Sequence, residues 1–260
     1  MLKRLSFALL VVLPATLPVS LPAQARGGDG YLFRRPMGSL SIRAGAARPN
    51  ASGSVFDFVS GLLMPRGSSN TNAGLGPADY SSFSGALEAS VNLTPRAELV
   101  LGAATSRRRV DSEYRKWVDN NDKPIEQMTR FSRTPISLGL KWNLTPAGRS
   151  ISRLVWVPNR FVPYVAAGGG VMQWRFQQEG DFVDFQSSTL DVFKSTLQDK
   201  GWAPMAYAAT GVSWNLNPSV AVTGEARYDM ASAPLRGSFS GFNSIGLSGV
   251  GLTAGFQVRY

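Results

Sequence analysis

"GLTAGFQVRY" (residues 251–260) closes the chain. Leu252, Ala254, Phe256, Val258 and Tyr260 fall on one parity, and Gly251, Thr253, Gly255, Gln257 and Arg259 on the other. Successive side chains of a strand point to opposite faces, so this stretch predicts a strand with one apolar and one polar face. Chain ends are usually frayed and polar. Here the alternation runs to the last residue, which is aromatic, and the strand needs a partner along both edges.

The rest of the chain offers partners. Period two recurs in seven further stretches: 38–47, 82–92, 97–107, 133–143, 162–176, 203–215 and 219–228, with the last spanning 246–260. Most are about the ~9–11 residues that a tilted strand needs to cross a bilayer. One parity is apolar, as in Leu40, Ile42, Ala44 and Ala46, or Ile136, Leu138, Leu140 and Trp142. The other is polar and charged: Ser41 and Arg43; Ser84, Glu88, Ser90 and Asn92; Glu98; Ser137 and Lys141; Thr223, Glu225 and Arg227; Gln257 and Arg259. The faces of 162–176 and the phase of 203–215 are ambiguous, because Gly and Ala dominate the first.

The connections alternate in length. Residues 48–81, 108–132, 177–202 and 229–245 read as long loops, while "LTPR" (93–96) and "LNPS" (216–219) read as tight turns. Outer-membrane barrels have long outer loops and short periplasmic turns. Tyr80, Phe83, Trp142, Tyr164, Trp174, Phe176, Trp214, Tyr228 and Tyr260 stand near strand ends, where aromatic girdles would lie. "VFDFVSGLLM" (55–64) is an apolar island in the first long loop. It reads as a short amphipathic helix on the mouth or membrane surface, or as loop packing under the rim.

Residues 1–25 read as a secretory signal: Lys3 and Arg4, then the apolar run Leu5–Leu13, then Ala23-Gln24-Ala25 as a cleavage site before Arg26. Residues 26–36 would form a lead segment and 37–260 the barrel. The chain has no Cys and no His. That removes a disulfide framework, Ser-His and Cys-His pairs, and the commonest general base and metal ligand. The signal holds no acid, so the mature chain carries 25 basic against 17 acidic residues. The bases are scattered and the chain is exported, which argues against nucleic acid.

Together these features resemble the small outer-membrane β-barrel proteins of Gram-negative bacteria, the OmpA-barrel, OmpX and OmpW-like group, over roughly residues 37–260. The terminal strand carries the resemblance most specifically. Tyr260, Val258 and Phe256 match the last, third-last and fifth-last positions of that group's closing strand, whose final residue is usually Phe. "PYVAAGGGV" (163–171) and "GEARY" (224–228) resemble its strand segments less specifically. The resemblance implies an all-β, eight-stranded antiparallel up-and-down transmembrane barrel in the cell outer membrane. It also implies contact with outer-membrane lipids and lipopolysaccharide, and a terminal strand read by the barrel assembly machinery as its insertion signal. It implies neither a cofactor nor any one activity.

Three site readings follow. Arg43, Glu88, Glu98, Lys141, Glu225, Arg227 and Arg259 share the polar face; they would form a salt-bridged interior or line a pore. An eight-stranded barrel is barely wide enough for its own side chains, so pairing is expected. Arg107, Arg108 and Arg109 would sit near the outer rim within reach of lipopolysaccharide phosphates, or form a solvated rim neutralised by Asp111, Glu113, Asp119 and Asp122. No catalytic or metal site is read. The expected role is structural or surface-interacting through the loops. The alternatives are a narrow channel or lateral gate, for which the Gly-rich fifth strand could leave room, and a soluble periplasmic lipocalin-like barrel with its apolar parity inward.

Overall fold

The structure, a computed structural model, describes residues 31–32, 34–68, 70, 74–119, 122–152, 154–184 and 191–260. The expected signal, its cleavage site after Ala25 and residues 26–30 of the lead segment lie outside the described residues. The elements are β1 (Gly38–Pro49), α1 (Ser54–Leu62), β2 (Leu63–Pro65), β3 (Ser82–Asn92), β4 (Ala97–Val118), β5 (Pro124–Asn143) and β6 (Gly148–Ser152). They continue with β7 (Val155–Pro158), β8 (Phe161–Val183), β9 (Val192–Asn215), β10 (Val220–Pro234), β11 (Ser244–Gly246) and β12 (Gly249–Arg259).

Eight of these strands form an antiparallel ring in the order β1, β3, β4, β5, β8, β9, β10, β12. The ring closes where β12 pairs with β1, placing Phe256 opposite Ile42 and Val258 opposite Leu40. Tyr260 extends the seam: its amide donates to the Gly38 carbonyl (3.1 Å), and its carbonyl accepts from Met37 (2.8 Å) and Gly38 (3.2 Å). No sheet edge is left at the closing strand. We call the end bearing Gly38 and Tyr260 the base, and the opposite end the top.

The apolar parity faces outward. Leu40, Ile42, Leu87, Val91, Leu101, Leu138, Leu140, Val212, Leu252, Phe256 and Val258 are all exposed large apolar residues on the outer wall. The polar parity faces in: Ser39, Ser41, Arg43, Glu88, Ser90, Glu98, Ser137, Lys141, Thr223, Glu225, Gln257 and Arg259 are buried. Trp142, Phe161, Trp214 and Tyr260 ring the base, the Phe161 and Trp214 rings stacking at 5.8 Å, while Phe83, Trp202 and Tyr228 stand at the top of the band.

The structure departs from the expected outline in three places. Residues 108–118 and 124–132 are strand rather than loop, as are 177–183 and 192–202. Period two persists there: Ile125, Gln127, Thr129, Phe131 and Arg133 point inward in turn. The outward partners are mostly polar, such as Glu126, Arg130 and Ser132, so the segments read as loops although the sheet continues above the apolar band. Tyr80, Tyr164, Trp174 and Phe176, expected in the girdles, are buried inside the barrel. The connection from β5 to β8 holds its own hairpin, β6–β7, to which Leu32 adds by paired backbone bonds with Trp156 (2.9 Å each).

Candidate functional site

The lumen is filled in two layers of different chemistry. The lower layer is ionic. The Arg43 guanidinium reaches Glu88 at 2.6 Å and Glu225 at 3.2 Å, and Tyr164 donates to the other Glu225 oxygen at 3.0 Å. Nearer the base, Lys141 lies 3.4 Å from Glu98, which also accepts from Asn143 at 2.7 Å, and its ammonium stands 4.4 Å from the Tyr164 ring centre. Arg259 donates to Asn215 at 2.6 Å. Pairing of this kind offsets the cost of burying charge in the lumen.

Of the seven interior charges expected together, Arg43, Glu88 and Glu225 form one cluster, and Glu98 and Lys141 a second. Arg227 sits higher, paired with Asp229 at 2.7 Å, bonded to Ser137 at 3.1 Å and stacked 3.8 Å from the Tyr207 ring. Among the described residues Arg259 makes no ion pair. It packs instead 6.0 Å from the Trp156 ring centre, where the β6–β7 hairpin folds across the base. The roles of Tyr164, Asn143 and Asn215 follow from inward parity alone, but neutral groups carry no charge signal that would single them out in the sequence.

The lumen side of the Gly-rich β8 is filled at its middle. A Cβ at Gly168 would stand 2.8 Å from the Tyr207 ring, and one at Gly139 would stand 3.0 Å from it. The space these glycines free is occupied by that ring.

The upper layer is apolar and packs loop residues against the upper parts of β5 and β8. Helix α1 drops into the mouth, burying Val55, Phe56 and Val59. The Phe56 ring makes edge-on contacts with Tyr80 (5.2 Å), Phe176 (5.4 Å) and Phe131 (5.5 Å). A 3₁₀ turn at Gly237–Phe239 adds Phe239 against Phe176 at 5.3 Å. The apolar island of the first loop is therefore packed inside the mouth, not laid on a membrane surface. Between the layers, beside Arg43, Glu88, Arg133, Glu225 and Arg227, a cavity of about 50 Å³ survives. That is room for a few waters.

The three consecutive arginines diverge. Arg107 points outward and is exposed; Arg108 falls on the inner parity and donates to the Asp79 carbonyl at 3.0 Å; Arg109 points outward but pairs with Asp111 at 3.1 Å. They do not form one site. Among the described residues, no three acidic side chains converge to hold a metal ion.

No family model and no curated protein matches the chain. Similar solved structures include Ail, the attachment invasion locus protein of Yersinia pestis, in complex with the heparin analogue sucrose octasulfate. It is 13% identical with a TM-score of 0.38, over 85% of this chain and 99% of that one. The Escherichia coli outer membrane protein W is 18% identical with a TM-score of 0.34, over 87% and 100%. The Escherichia coli outer membrane protease OmpT is 10% identical with a TM-score of 0.39, over 88% and 98%. These likenesses are of barrel architecture.

Proposed function

We propose that the protein is an integral outer-membrane barrel with a closed lumen, acting in a structural or surface-interaction role through the part that rises above the membrane. One observation carries this reading: the barrel wears its apolar parity outside and its charges inside. A soluble ligand-binding barrel has the reverse arrangement, since its apolar face must line the cavity. An apolar wall bounded by aromatic residues at both ends suits a bilayer. The tight turns and the closing strand at the base fit the periplasmic side, and the tall β4–β5 and β8–β9 hairpins fit the outer side.

The filled lumen favours a silent barrel over a narrow channel. Ionic pairs occupy its lower half and aromatic packing its upper half, and the cavity between them has only about 50 Å³. The reading assigns no catalysis. The chain has neither His nor Cys, and Glu88, Glu98, Glu225 and Asp229 are each held by a cation. Two measurements test it. The protein should fractionate with outer membranes and migrate faster on a gel unheated than boiled; recovery as soluble periplasmic protein would overturn the reading. Folded protein in a planar bilayer should pass no steady current; regular conductance steps would favour the channel instead.

A further inference from the structure

The upper edge of the apolar band is drawn along two strand registers. Thr134 pairs with Gln173, and Gln173 with Trp202, forming a polar and aromatic row on the outer wall. Two residues higher, Arg107 pairs with Ser132, Ser132 with Arg175, and Arg175 with Lys200. All four side chains of this second row lie on the outward parity, and Arg107, Arg175 and Lys200 are exposed. Adjacent strands stand about 4.8 Å apart, so the row brings three cations within roughly 15 Å.

These cations lack counter-charges. Among the described residues none of the three makes an ion pair, whereas Arg109 and Arg66, higher on the wall, pair with Asp111 and Glu126. A groove of about 380 Å³ lies over Ser132, Thr134, Gln173, Arg175, Lys200 and Trp202. It presents two cations and a hydroxyl on the upper row, and a hydroxyl, an amide and an indole on the row below. These two rows lie where the apolar wall ends and headgroups begin.

We infer that this row binds the phosphate of an outer-leaflet glycolipid, with Arg175 and Lys200 on the phosphate, Ser132 and Thr134 completing its hydrogen bonds, and Trp202 against the sugar–acyl boundary. Arg107 extends the row toward a second phosphate. Guanidinium binds phosphate oxygens bidentately, and the fork is already charged and weakly hydrated. Unpaired cations at the edge of an apolar wall meet anionic headgroups without first breaking an internal ion pair. The inference rests on the outer-membrane reading above for the source of the lipid; a soluble phosphate is the competing source.

The test uses the folded barrel in detergent, so it is independent of where the cell puts the protein. Fluorescent diphosphorylated lipid A is titrated into wild type, Arg107→Gln/Arg175→Gln/Lys200→Gln, and the control Arg109→Gln/Arg130→Gln. Neutralising three exposed cations together should weaken binding about tenfold or more, with the control close to wild type. Lipid A stripped of phosphate should bind wild type as poorly as the diphosphorylated lipid binds the triple variant. Equal binding by wild type and triple variant, or equal binding of the stripped lipid, overturns the site. Displacement of the lipid by inorganic phosphate at equal concentration overturns the lipid as its ligand. All three positions are on the outer surface, and heat-modifiable mobility verifies folding. Should the triple variant not fold, Arg175→Gln alone and the stripped lipid decide.

Discussion

Arg43 and Glu225, 182 residues apart in the chain, meet inside the barrel at 3.2 Å, and the same guanidinium holds Glu88 at 2.6 Å. The contact joins β1 to β10 over the intervening β12, while β1 and β3 are direct neighbours. One cation therefore ties together the strands on both sides of the closing seam and neutralises two buried carboxylates.

Arg43→Ala should be among the most damaging single changes in the barrel. It leaves Glu88 and Glu225 buried without a cation, and breaking a buried pair typically costs about 3–5 kcal/mol. The midpoint of denaturant unfolding, followed by heat-modifiable mobility, should fall accordingly. Adding Glu88→Gln and Glu225→Gln should recover most of the loss by removing the stranded charges. An unshifted midpoint for Arg43→Ala would mean the pair contributes nothing to stability.

Phe56→Ala should empty the centre of the apolar plug, since that ring touches Tyr80, Phe131 and Phe176. Losing a buried Phe costs about 3–5 kcal/mol, here borne by a loop and helix rather than by the ring of strands. Limited proteolysis should cut between residues 50 and 81 in the variant and spare wild type, while the barrel keeps its heat-modifiable shift. Its bilayer current should stay silent, because the Arg43 layer still fills the lumen below. A conducting Phe56→Ala would place the barrier in the plug alone.

The two halves of the lumen differ in how far the sequence discloses them. The ionic layer is legible because Arg43, Glu88, Lys141 and Glu225 each interrupt an apolar alternation, and parity puts them on one side. Their pairing is not legible, since it depends on strand order and register around a closed ring. The apolar layer is hidden for a different reason. Phe131, Phe176 and Tyr80 flank segments whose outward residues are polar, so nothing at a local level separates a strand above the membrane from a loop. Helix α1 shows its amphipathic spacing at residues 55–59, yet its docking depends on two aromatic rings from distant strands, Phe131 and Phe176, and on Tyr80 at the far end of its own loop. Arg175 and Lys200 are obscured likewise: they acquire a common row only once β8 and β9 extend past the band.

Tyr80→Phe isolates a polar atom in that plug. The Tyr80 hydroxyl is buried and has no hydrogen-bond partner among the described residues. Burial first, and the neighbouring Asp79 charge second, push its ionisation well above the ordinary tyrosine value. The unfolded chain releases this proton near pH ~10 while the folded one keeps it, so the folded state loses relative stability as pH rises beyond that point. Tyr80→Phe should unfold at the same or a higher denaturant concentration at neutral pH, by up to about 1 kcal/mol. Its decline above pH ~10 should be shallower than wild type, though not flat, since burial also raises Tyr114. A variant with a steeper alkaline decline would contradict the assignment.

Phe256→Ser with Tyr260→Ser separates two roles proposed for the closing strand. Both side chains lie on the outer wall, exposed to whatever surrounds the barrel. The backbone ladder to β1, including the Tyr260 bonds to Met37 and Gly38, needs neither ring. Each lost apolar side chain should cost about 1.5–3 kcal/mol of transfer into an apolar phase, leaving the seam hydrogen-bonded. Purified variant should therefore refold in detergent with its heat-modifiable shift. In cells, its outer-membrane yield should fall sharply while export to the periplasm continues, if the terminal aromatic positions are what the assembly machinery reads. Normal membrane yield removes the insertion-signal role and leaves closure of the ring as the strand's function. Failure to refold in detergent as well would assign the rings to the stability of the seam itself.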